Sequence, residues 1–379
     1  MIRRISARSV SLGLAAPVAA LAFAALVTTL ILVATHHTPG SVYSALFTQA
    51  KKPRTFVNSV NNATTYYLSA LAVAIGFRMN LFNIGVDGQY RLAALLAAAF
   101  GGATFMDHVP AVLRVAGTIV VAVLVGATWA GIAGFLKVTR GVSEVISTIM
   151  LNAIATFLGS FLLTKLAVSV AGSNNIGTRP IGAGGQVPGF AYHGTSSKIF
   201  GLILLAAAAG IAYSFVLRRT RFGFDLRATG LSESAAVASG VDVKRMVLYA
   251  MLLSGAVAGM VGMPQLLGAS YSYSLDFPTG IGFTGIAIAL LGRNSPVGMA
   301  FAALLWGFLD QTANVLDFQN VPKELVLIIQ GVIVLSVVVA YELVRRYRLV
   351  LQQRDVGRAV GEAPPPPPAP PRQPAEVLG

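Results

Sequence analysis

Apolar residues fall into long segments at about 12–34, 63–77, 88–106, 110–136, 143–164, 198–217, 246–268, 281–292, 296–315 and 323–343. Many approach the roughly 20 residues an α-helix needs to cross the hydrocarbon of a bilayer. Only helices and closed barrels satisfy their own backbone in lipid. Runs such as Leu202 to Gly210 are rich in Ala and Leu and lack a two-residue alternation, so helices are predicted. The expectation is an all-α, polytopic transmembrane helical bundle of about ten spans. The second and eighth spans are short, and both termini lie on one side.

Composition supports the bilayer as the solvent. Of the 379 residues, 55% are hydrophobic and only 11% charged, whereas soluble domains carry roughly a quarter charged residues. The net charge of +14 does not point to nucleic acid, because the basic residues cluster at the ends of apolar segments, as the positive-inside bias requires. With the N-terminus inside, 20 of the 28 Lys and Arg residues fall on the cytoplasmic side. This predicts a plasma-membrane protein with cytoplasmic N- and C-termini. The apolar run after Arg3, Arg4 and Arg8 is too long for a signal peptide's core, so a retained first helix is expected. The domain plan is a cytoplasmic N-terminus at 1–11, a transmembrane domain at 12–343 with a cytoplasmic loop at 218–245, and a basic, Pro-rich tail at 344–379 containing Pro364 to Pro368. Loops 36–61 and 165–197 are placed outside.

Three segments break the apolar pattern. The loop 223–243 reads GFDLRATGLSESAAVASGVDV. Ser232 is a favourable N-cap, Glu233 suits the positive first turn, Ala235 and Ala236 favour helix, and Gly240 can close it in the left-handed region. A helix of about two turns is unstable alone in water, so this one must pack against something. Asn80 to Gln89, NLFNIGVDGQ, reads either as a solvated turn between Arg78 and Arg91 or as a broken helix inside the protein. The latter is tolerated at membrane depth only in protein or beside a cavity. Gly280 to Gly298 brackets a second short apolar stretch with Gly282, Gly285 and Gly292.

These segments carry a resemblance to bacterial ABC importer permeases of the branched-chain amino acid, ribose and nucleoside type. Arg227, Ala228, Gly230, Ala235, Ala236, Gly240 and Val241 resemble the coupling loop of that family, with Ser232-Glu233-Ser234 standing where Asn-Pro-Glu is common. Asn83, Gly85, Gly88 and Gln89 match the Asn-x-Gly-x-Glu-Gly-Gln motif of nucleoside and simple-sugar permeases, with Asp87 replacing Glu. The resemblance implies a type II importer-like fold with two pseudo-symmetric halves. It implies coupling to an ATPase through Arg227, Gly230, Ser232, Glu233, Ala235, Ala236 and Gly240. Asn83, Gly85, Asp87, Gln89, Phe283 and Thr284 are the candidates for the translocation pathway. The implied partners are an ABC ATP-binding subunit, a second permease in a heterodimer, an extracytoplasmic substrate-binding lipoprotein, the small-molecule solute (a nucleoside or simple sugar) and membrane lipid. No nucleic acid is expected.

The chain itself is expected to be no enzyme, to bind no cofactor and to have no metal site; ATP and Mg belong to the partner. No Gly precedes a Lys, so a Walker A loop is absent, and there are no cysteines. The competing class is a secondary transporter working without an ATPase, for which Asp87 and Glu144 are the nearest intramembrane carboxylates. Glu144 and Asn152 either bond neighbouring helices or line the path. Gly255 and Gly259 form a GxxxG spacing that favours close helix packing.

Overall fold

The computed structural model describes residues 22–169, 175–317 and 322–361. The expected N-terminal segment 1–11 and the Pro-rich stretch from Glu362 lie outside these. The chain divides into a large unit, Leu26–Val334, and a small one drawn from the two chain ends.

The protein is a helical bundle; among the described residues, strands are confined to two minimal antiparallel pairs, β1 (Val168–Ser169) with β2 (Ile176–Gly177) and β3 (Phe190–Ala191) with β4 (Lys198–Ile199). Among the described residues, five helices are long and apolar enough to cross a membrane. They are α5 (Ala111–Arg140), α6 (Glu144–Leu166), the run Val243–Ser270, α13 (Pro296–Asp317), and α14 (Lys323–Gly361) through Tyr347. The run Val243–Ser270 comprises α10 (Val243–Met260), α11 (Met263–Gln265) and a π-helical turn, Leu266–Ser270. A sixth arises if α7 (Ile203–Arg219) and α8 (Arg221–Leu231), bent by 74°, are taken together. α1 (Ala22–Ala34) and α12 (Ile281–Leu291) are apolar but short.

Two helices that miss this criterion, α3 (Pro53–Phe77) and α4 (Val86–Gly101), form the centre. α3 buries 17 of its 25 residues and α4 12 of its 16, whereas α5 buries only 7 of 30. A helix enclosed by protein can carry polar groups, provided they are bonded. The second span is therefore longer than predicted. It begins at Pro53, not near residue 63, because Pro53 is suited to a helix's first turn and the polar residues behind it are satisfied. Ser59 and Thr64 donate to the carbonyls of Thr55 and Val60, and Asn61 bonds the β4 strand through Lys198 O and Phe200 N. The expected outer loop 36–61 is accordingly helical, and holds α2 (Pro39–Ala50) as well. At the other end α14 continues past the expected boundary at 343, its Glu342 bonded to Arg345 and Arg346.

α5 and α10 meet along a seam of small residues. A Cβ on Gly126 would stand 2.2 Å from Gly255 O, and one on Gly259 would stand 2.0 Å from Ala122 O. The GxxxG spacing thus brings two backbones together, as expected from small-residue packing. Gly126→Leu should destabilise the protein by about 3 kcal/mol through forced separation of the helices, measured by denaturation in detergent micelles. A loss under about 1 kcal/mol would mean that the seam yields freely.

Candidate functional site

α3 ends at Phe77, and the chain then runs without helix until Val86. This interruption turns back into the protein. Asn83 is 1% exposed, Gln89 0% and Asp87 8%, which rejects the solvated-turn alternative. Asn83 is the centre of a closed network. Its Nδ2 donates to Gln89 Oε1 (3.0 Å) and to Ser254 Oγ (2.8 Å). Gln89 Nε2 (2.8 Å) and the Gly85 N–H (3.1 Å) both donate to its Oδ1. Ser254 Oγ then donates to Ala72 O (2.7 Å). Of the two amides facing each other this way, Asn83 satisfies a backbone N–H, that of Gly85, which the missing helical turn leaves open.

Asn152 of α6 continues the bonding, accepting from the Gly88 N–H (2.8 Å) and donating to Ile84 O (2.8 Å). That decides its role in favour of bonding neighbouring elements. Glu144 pairs with Lys137 at 2.6 Å.

The second interruption meets the first. Gly280, at φ +80°, ends a loop and starts α12, whose eleven residues extend only about 16 Å. The Gly282 N–H donates to Asp87 Oδ1 at 3.2 Å. Asp87 lies in the first turn of α4, so its carboxylate sits at two helix N-termini, where the dipoles favour negative charge; Arg91 stands 4.0 Å away. Contact is close enough that a Cβ on Gly282 would be 2.3 Å from Asp87 N, and one on Gly285 2.1 Å from Ser69 Oγ. Of the other α12 candidates, Phe283 is 53% exposed and Thr284 half-buried. The structure therefore joins Asn83, Gly85, Asp87 and Gln89 with Gly282, and leaves Phe283 facing outward.

In the 218–245 loop, Thr220 caps α8 by accepting from the Gly223 N–H (3.1 Å), and Ser232 caps α9 (Glu233–Ala238) by accepting from the Ala235 N–H (3.3 Å). Gly240 closes α9 at φ +82°. α9 lies where its cap residues predict it, whereas α8 is a helix the sequence pattern does not predict. Ala236 is 2% exposed and faces the protein, while Ala235, Glu233, Leu231 (89% exposed) and Val237 (61%) face outward. Gly230 packs on the end of α3: a Cβ there would be 2.3 Å from Arg78 O. Asn80, at φ +55°, donates to Gly230 O at 2.7 Å. Arg227 lies apart from α9, in a pocket with Arg78 and Arg218.

A polar cluster outside the predicted set is centred on Asp310, a carboxylate in α13 that accepts from Tyr66 Oη (2.9 Å) and Asn62 Nδ2 (3.3 Å) of α3. The signal was available as the single acid in the 296–315 segment.

The chain is 34% identical over 315 residues, 82% of its length and 89% of the relative's, to the guanosine ABC transporter permease protein NupP of Bacillus subtilis. It is 31% identical over 339 residues, 86% of the chain and 90% of the relative, to the nucleoside ABC transporter permease protein NupB of Lactococcus lactis. It is 32% identical over 329 residues, 84% and 85% respectively, to the glucose ABC transporter permease protein TsgB13 of Haloferax volcanii. No solved structure matches. Residues 55–338, from the start of α3 into α14, match the branched-chain amino acid transport system permease component, and the chain belongs to that family as a membrane-spanning ABC transporter permease.

Proposed function

We propose that this permease imports a nucleoside, or failing that a simple sugar, delivered by an extracytoplasmic binding lipoprotein and driven by a separate ABC ATP-binding subunit. A second, non-identical permease completes the membrane channel. Both termini and the α8–α9 loop face the cytoplasm. The observation that carries the coupling role is the outward face of the corner where Leu231 ends α8 and Val237 lies on α9. Leu231 and Val237 are apolar and exposed in a loop rich in charge, beside the small Ala235. Apolar side chains in such a place find their burial against another protein.

Movement of that face has a route into the bundle. α8 rests through Gly230 on Arg78 and Met79, and these residues open the interruption whose far end holds Asp87 against α12. Asn83, Gly85 and Gln89 support the pathway by fixing this turn, while Asp87, Phe283 and Thr284 stand nearest its edge. Nucleosides come first among solutes because, of the three relatives described above, two carry a nucleoside or guanosine in their names and one a sugar.

The test is ATP-dependent uptake by proteoliposomes holding both permeases and the ATPase, supplied with binding protein and a panel of nucleosides and sugars. Uptake that survives loss of the ATPase's phosphate-binding lysine would identify a secondary transporter instead. Leu231→Asp with Val237→Asp should weaken ATPase association at least about tenfold, read by co-purification titration. Retained affinity in that variant would exclude this face as the docking site. Ala236→Glu is the wrong probe, since it places a charge in the protein's own packing.

A further inference from the structure

At the end of α3 and α7, Arg78, Arg218 and Arg227 line one polar pocket of about 340 Å³. None of the three has a carboxylate within ion-pair distance among the described residues. Arg78 is held in place from behind: its Nη2 donates to Asn294 O (2.7 Å) and its Nε to Tyr213 Oη (3.4 Å). Among the described residues its Nη1 has no acceptor, which leaves it for another. Three guanidinium groups converging without a counter-charge repel one another, and are stabilised by an anion that bonds several at once.

The pocket does not stop there. Ser214 and Pro296 also line a second cavity, of about 620 Å³, which runs between α3, α7 and α13. Its walls are almost wholly apolar, with Ala207, Ile211, Ala300 and Phe301 among them. From Arg218 to Ile203 along α7 is about 22 Å of helix, comparable to the depth of one leaflet and part of the next. Phe301 and Ile211, each 71% exposed, mark the cavity's open side.

We infer that this composite site holds one molecule of an anionic glycerophospholipid, with its phosphate among Arg78, Arg218 and Arg227 and an acyl chain in the α3–α7–α13 groove. A free phosphate would use the arginines but leave the groove unexplained. A neutral lipid would use the groove but leave three uncompensated cations. Basic pockets between membrane helices that take acidic head groups are a general device. The inference requires only that the chain spans a bilayer, so it stands or falls separately from the solute assignment.

Native mass spectrometry of the detergent-solubilised full chain, titrated with phosphatidylglycerol or phosphatidylcholine of matched chains, tests it. One phosphatidylglycerol should be retained in preference to phosphatidylcholine. Glycerophosphoglycerol, which has the head group without chains, should fail to compete. Arg218→Gln, an exposed position with no internal bond to lose, should weaken retention about fivefold. Ala300→Trp should do so by filling the groove with the arginines intact. A thermal unfolding midpoint unchanged in each variant separates lost binding from lost fold. Equal retention of the two lipids, competition by glycerophosphoglycerol or inorganic phosphate, or indifference to Ala300→Trp would each overturn the proposal. So would an Arg218→Gln variant that loses ATPase affinity while keeping its lipid, because the arginines would then belong to a protein interface.

Discussion

Replacing Asn83 with alanine should unfold the centre of the bundle at much lower denaturant, with a loss of about 4 kcal/mol. The side chain makes four hydrogen bonds with Gln89, Ser254 and the Gly85 N–H. Its removal leaves the Gln89 amide and the Gly85 N–H buried and unpaired, at about 1–3 kcal/mol for each orphan, and adds a small void. Ser254 suffers less, because its hydroxyl still donates to Ala72 O. Combining Asn83→Ala with Gln89→Leu should cost clearly less than the sum of the single changes, since one orphan is removed with its partner. Denaturation of the purified single and double variants in micelles measures this coupling. Strict additivity, or a wild-type midpoint in Asn83→Ala with only a raised uptake KM, would show Asn83 to be a solute contact and not a support. Phe283→Ala is the comparison: Phe283 is more than half exposed, so stability should change little while uptake reports any role beside the path.

That contrast bears on what a sequence can disclose here. Asn83, Gly85, Asp87 and Gln89 were conspicuous because polar and glycine residues interrupt an apolar run, and such interruption has few physical explanations in a bilayer. What they bond to was hidden, since Ser254, Asn152 and Gly282 lie 171, 64 and 195 residues from their partners. The first half of α3 is hidden from hydropathy for the opposite reason. Hydropathy counts Thr55, Ser59, Asn61 and Thr64 as solvent-facing, yet most of these side chains bond backbone carbonyls and all are buried. α8 escaped notice because Gly223 and Gly230 are poor helix formers. Both glycines are there for proximity: a Cβ on Gly223 would meet Val216 O at 2.2 Å. α9 was legible from its cap residues alone, but not which alanine points inward. A six-residue helix has too few positions for a periodic pattern to orient it.

Gly230→Val should separate ATP hydrolysis from uptake more completely than any change on α9 itself. The new Cβ would stand 2.3 Å from Arg78 O and 2.9 Å from Met79 Cα. Both are backbone atoms at the start of the interruption, and neither can rotate away as a side chain would. α8 must therefore lift from the end of α3, and the Asn80 to Gly230 hydrogen bond of 2.7 Å is lost with it. α9 keeps its own Ser232 cap and its exposed Val237, so the ATPase should still bind and turn over. Uptake should fall roughly 100-fold, at the upper end of ordinary coupling energies between sites, measured as solute accumulated per ATP hydrolysed in proteoliposomes. Gly240 provides the internal control. It is a glycine for its backbone angle of +82° and has no atom within 4 Å of where a Cβ would lie. Asparagine tolerates that region, so Gly240→Asn should transport nearly as well as the parent, whereas Gly230→Asn should fail like valine. If the two asparagine variants behave alike, the α8 contact with α3 does not transmit the ATPase's movement, and the connection to the bundle must run through α10.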